Sequence, residues 1–209
     1  MGSEMCIRDS VCTITAMPRR VDHDQRRHEI TDAVCRITVK GGLTAATFRE
    51  VAAEAGVSVR LVQYYFGSKD QLLLVTLQHI AERATARLHR RLGTAGPTPR
   101  ERLRAVLTSF IPDDDESREH TLMLVALHTA RLVDPTLARK ETDAVPRALQ
   151  NTVAKLLREA RLRPGVEPKR EAALLVAALP SLAQTVLDGM QTVSQATAVV
   201  DYALDRALR

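Results

Sequence analysis

Residues 47–73 read TFREVAAEAGVSVRLVQYYFGSKDQLL, and the fold turns on them. Thr47 can cap a short helix, with Glu50 three residues on to complete a capping-box pattern. The inner face of that helix would be Val51, Ala52 and Ala55. Gly56 breaks it, and Val57-Ser58 leads into another helix running to about Tyr65. After Phe66-Gly67, Ser68 can cap a long helix with Leu73, Leu77, Ile80, Ala84 and Leu88 on one face. Two short helices joined by a four-residue turn containing glycine form a helix-turn-helix. Between them they would bury Val51, Ala52, Val57, Val62 and Phe66. The second helix is left with Ser58, Arg60, Leu61, Gln63, Tyr64 and Tyr65 outside. These are donors, acceptors and methyl groups suited to base edges and phosphates.

Upstream, Ile30, Ala33, Val34 and Ile37 recur at i, i+3, i+4, i+7, marking a first helix that Gly41-Gly42 ends. Downstream, residues 93–99 form a turn-rich break. Helical patterns follow at about 100–111, 116–132, 135–162, 168–188 and 195–208. Pro146 and Pro180 fall inside two of them and should kink or split those helices. No alternating strand pattern or internal repeat occurs. The expected fold is therefore all-α. A helix-turn-helix head with its linking helix would span residues 18–92, and a larger helical bundle residues 93–209. Residues 1–17 read as a leader, either an artefact or a disordered tail.

Composition narrows the class. Aromatics are 3% with no Trp, so Leu, Val and Ala must fill the core, which favours helices over a β-sandwich. The net charge is +5, and residues 18–92 hold 13 Lys and Arg against 8 Asp and Glu, while residues 93–209 hold 16 against 15. A local basic excess fits a phosphate-facing surface. Cys6, Cys12 and Cys35 make no CxxC pair and suit a reducing cytoplasm. The longest apolar stretch, residues 172–179, is far short of the roughly 20 residues of a membrane span. No P-loop, GxSxG elbow, HExxH or Rossmann fingerprint occurs, so no enzyme is expected.

The stretch Thr47 to Leu73 resembles the signature of the TetR-type transcriptional regulators. Its marks are a Thr before a short helix, an AxxAGVS turn, and YYF followed by Ser-Lys and an acidic residue. The likeness covers about residues 26–92, and beyond it only helicity and length match. The resemblance implies that Thr47, Tyr65 and Lys69 contact phosphate and that Arg49, Arg60, Leu61 and Tyr64 face the groove. Gln63 departs from the family's frequent aromatic there, and either reads an adenine or reaches phosphate. Lys69, in the first turn of a helix, opposes the helix dipole, and a bound phosphate would offset that. The resemblance also implies a homodimer on a palindromic double-stranded DNA operator, repressing until a ligand in the C-terminal bundle tilts the fourth helix.

Further expectations come from the second half. Val199, Val200, Ala203, Leu204, Ala207 and Leu208 line the last helix at i, i+4 and are expected at a dimer interface. Met123, Leu127 and His128 are expected to line a pocket for a small apolar effector. The six histidines form no close pair at metal spacing along the chain, so neither metal nor cofactor is expected. The run Asp113-Asp114-Asp115-Glu116 reads as a loop feeding acids into a helix N-terminus. The competing class is a ligand-independent architectural or protein-binding helix bundle.

Overall fold

The computed structural model describes residues 19–134 and 139–209, so the leader at residues 1–17 lies outside the described part. The order is α1 (Arg19–Gly41), a 3-10 turn (Leu43–Ala45), α2 (Phe48–Glu54), α3 (Val59–Phe66), α4 (Lys69–Thr94), α5 (Pro99–Thr108), α6 (Asp115–Val133), α7 (Arg139–Glu159), α8 (Pro168–Leu187) and α9 (Val193–Ala207). Among the described residues there is no strand, only an isolated bridge between Leu162 and Leu208. The all-α expectation holds.

Helix ends follow their side chains. Thr47, Ser58 and Ser68 each accept a hydrogen bond from the backbone N–H three residues on, at 3.1–3.2 Å. The expected box at Thr47 is only half made, because the Glu50 carboxylate lies beside Arg49 at 3.6 Å. Full capping boxes occur instead at Thr98/Glu101, Asp114/Ser117 and Thr192/Gln195. Each such cap contributes about 1 kcal/mol. Gly56 and Gly67 take φ of 64° and 65°. A side chain is strained there, so glycine lets the chain turn sharply on both sides of α3.

Three helix expectations change. Gly93 lies inside α4, and the break begins at Ala95. Pro146 and Pro180 sit within α7 and α8, and neither helix is split. Moreover, α8 is long and apolar enough, by length and hydropathy, to cross a membrane. It buries Ala172, Leu175, Val176, Leu179, Ala183 and Val186 within the bundle.

Two apolar cores result. The head core gathers Ile30, Ala33, Val34, Val51, Ala52, Val62, Phe66, Leu72 and Leu73, together with Met123 from α6. The body core gathers Leu103, Val106, Leu107, Val153, Leu157, Leu175, Val200 and Leu204, among others. Helix α4 serves both, since Leu72 to Ile80 face the head while Leu88 and Leu92 pack on the body. Its far end is pinned by Arg91, which donates to the Thr108 carbonyl and pairs with Asp113. Of the acidic run, then, Asp113 holds α4, Asp114 caps α6, and Asp115 and Glu116 fill that helix's first turn.

Candidate nucleic-acid interface

The α2–turn–α3 unit is anchored from beneath. Val62 and Phe66, four residues apart, put one face of α3 into the head core. Glu54 at the end of α2 accepts from Arg36 Nε at 2.7 Å and from Lys40 at 3.4 Å, joining α2 to α1. Those hydrogen bonds hold the Glu54 carboxyl below its ordinary value.

What faces out is the set expected to meet DNA. Thr47, Arg49, Ser58, Arg60, Gln63, Tyr64 and Lys69 are exposed, and Leu61 and Tyr65 are half-buried. Thr47 and Ser58 are already occupied as caps, which fixes the entry of the helices that carry the others. Among the described residues, Arg60 and Lys69 take part in no ion pair. A guanidinium held at the start of α3 without an intramolecular partner keeps all its donors for a bidentate contact.

The tyrosines behave differently from one another. Tyr64 is 76% exposed, so most of its ring lies in solvent. Tyr65 packs against the head core, edge-on to Tyr64 at 5.6 Å. Its hydroxyl lies 2.7 Å from His23 Nδ1. His23 is a member of this surface that sequence reading missed. No local signal marks a contact spanning 42 residues.

The expected pocket trio does not come together. Met123 is sealed in the head core, Leu127 is buried, and His128 is exposed. Residues 123 and 127 share a helix face, while residue 128 points about 140° away from residue 123. The expected dimer seam is also divided. Val200, Leu204, Ala207 and Leu208 are buried in the protomer itself, Ala203 packs beside them, and only Val199 is exposed. That i, i+4 stripe packs α9 onto α5 and α8, so its apolar pattern is satisfied within one chain. Cys35 is buried, and burial, with Asp32 and Glu119 nearby, pushes its thiol up to about 12. A thiol so protonated is no nucleophile.

A capped helix-turn-helix with its polar face free, on a separate helical body, defines a DNA-binding regulator. Comparison with known proteins agrees. The model for bacterial regulatory proteins of the tetR family matches residues 30–76, and that for the BetI-type transcriptional repressor C-terminal region matches residues 99–209. The chain belongs to the TetR family, with a BetI-type second half. The transcriptional regulator BetI of Burkholderia mallei is 33% identical over 150 residues, covering 70% of this chain and 77% of its own. PksA of Bacillus subtilis is 25% identical over 167 residues, covering 80% and 81%. A TetR-family regulator structure from Rhodococcus sp. superposes with TM-score 0.75 at 25% identity, over 89% of this chain and 100% of that one. A regulator from Saccharomonospora viridis, solved in complex with choline, shares the fold with TM-score 0.76 at 22% identity, over 89% and 100%. This chain is a DNA-binding transcriptional regulator of the repressor type, and no catalytic family is among these matches.

Proposed function

We propose that the chain acts in the cytoplasm as a homodimeric, ligand-responsive repressor of a palindromic operator, working by binding and without catalysis. The observation that carries this reading is the exposed, unpaired Arg60 at the start of α3, with Lys69 exposed at the start of α4. Arg60 reads a base, and Lys69 meets the backbone. A single α3 spans too few bases to select a site, whereas two on a twofold axis read half-sites one or more turns apart. The dimer face consists of what α8 and α9 leave outside. Leu174 on α8 and Tyr202 on α9 are each 64% exposed, and Val199, three residues before Tyr202, is exposed as well.

The effector is a small apolar molecule. A quaternary ammonium ligand such as the neighbour's choline is gripped by an aromatic cage. Beyond residue 66 this sequence offers only Phe110 and Tyr202. The neighbour's ligand is therefore not carried over.

The test is anisotropy binding to duplex from upstream of the protein's own gene and to a scrambled duplex, at several salt concentrations. Arg60→Ala should cost about 1–3 kcal/mol on the operator and relax selectivity at one base pair per half-site. Lys69→Ala should weaken both duplexes alike and lower the salt slope by about one. Equal loss on both duplexes for Arg60→Ala would remove its base-reading role. Silence of both variants would remove the interface.

A further inference from the structure

Along the chain the histidines look scattered, but folding brings two of them together. His28 on α1 and His79 on α4 lie with ring centroids 4.4 Å apart. Glu82 follows His79 by three residues, on the same face of α4, and its carboxylate is 3.9 Å from His28 Nε2. One ligand atom from each of His28, His79 and Glu82 lies within 4.8 Å of the other two.

His79 carries the decisive detail. It is 3% exposed, and its Nε2 lies 2.9 Å from Asp32 Oδ1. With Nε2 donating to that carboxylate, Nδ1 holds a lone pair, and Nδ1 is buried with no hydrogen-bond partner. A buried acceptor left open is costly unless something fills it. Imidazole hydrogen-bonded to a carboxylate through one nitrogen, with the other free, is the arrangement that prepares histidine for a metal.

The structure assigns His28, His79 and Glu82 as a site for a borderline divalent transition ion such as Zn²⁺ or Co²⁺, with Asp32 positioning His79. Two imidazoles and a carboxylate suit such an ion, leaving a fourth position for water. A tetrahedral ion with bonds of about 2.0–2.2 Å holds its donors about 3.4 Å apart. From separations of up to 4.8 Å, the three side chains would thus close by up to about 1.4 Å. His28 and Glu82 are exposed enough to do so, at 49% and 70%. Because His28 lies on α1 and the other two on α4, an ion here ties the first helix of the head to the helix shared with the body.

The full-length protein should be titrated with Co²⁺, following the visible ligand-field absorption, and with Zn²⁺ by calorimetry. One ion per chain is expected, with a melting temperature raised by Zn²⁺ and unmoved by Mg²⁺. His28→Ala and Glu82→Ala alter exposed side chains, and circular dichroism would confirm that both fold. Each should weaken Co²⁺ binding at least tenfold. Asp32→Asn should weaken it about 10–100-fold while leaving one site. No saturable binding below a millimolar of free Co²⁺ overturns the assignment. So does binding that both folded variants retain at full strength, which would mean an adventitious ion elsewhere on the chain. Neither result would touch the DNA-binding reading, which rests on α3.

Discussion

In the head, the DNA-facing unit is made of helices of seven and eight residues, whereas α7 and α8 in the body have 21 and 20. Helices shorter than about 12–15 residues are marginal alone. So α2 and α3 exist because Thr47, Ser58 and Gly67 define their ends and because Val51, Ala52, Val62 and Phe66 are buried. The long helices of the body close a core together with α5, and Leu88 and Leu92 of α4 pack against its edge. The head does not close its own core. Met123, 0% exposed, comes from α6. A small unit that must leave one polar face free for DNA has few directions in which to bury apolar surface, and the body supplies the missing piece.

The strongest test of this contrast removes the supplied piece. Met123→Ala should cost about 2–5 kcal/mol in chemical denaturation, as large-to-small core changes do. Hydrogen exchange should rise in α1 to α3, although the substitution lies in α6. Leu157→Ala should cost a similar amount and loosen α7 and α8. If Met123→Ala loosened only the body, the head would be self-sufficient and the contrast would fall.

A second, smaller effect separates inside from outside on α9. Val199→Asp should raise the dimer dissociation constant at least tenfold, seen by sedimentation, and leave the protomer's fold intact. An unchanged dimer would move the interface away from the α8–α9 face. Leu204, 0% exposed, is the counterpart whose truncation should instead destabilise the protomer.

The smallest effect concerns the cap that starts α6. Hydrogen bonds from the Ser117 side chain and backbone hold the Asp114 carboxyl below its ordinary 3.8. A lowered carboxyl stabilises above the unfolded value and loses that contribution as pH falls through the folded one. Asp114→Ala should therefore cost about 1 kcal/mol at neutral pH. Its melting curve should converge on the wild type's below about pH 4. Thr192→Ala, removing an uncharged cap, should show a gap that does not close. A constant gap for Asp114→Ala would mean that its charge does not contribute.

How much could be read beforehand follows the same division. Thr47, Ser58, Ser68 and Gly67 act on neighbours three or four residues away, so their roles were legible, and with them the helix-turn-helix and the exposed Arg60 and Lys69. Periodicity also marked Met123, Leu127, Val200 and Leu204 as apolar-facing, and all four are buried. It could not say against what, because burial in one's own chain and burial in a partner leave the same spacing. Hence spacing alone points Met123 to a pocket and the α9 stripe to a dimer. Pairings across helices, such as His23 with Tyr65 or His28 with His79, have no local trace.

Met123 in the head core also limits how the halves could be exchanged. The break at residues 95–98 looks like a natural place to splice this head onto another body. A chimera joined there would carry a hole the size of a methionine side chain beneath α1, unless the new body offered an apolar residue at the matching turn of its sixth helix. Compatibility between heads and bodies would then hinge on that one position as much as on the linker, and grafted heads that bind DNA poorly could be repaired from the body side.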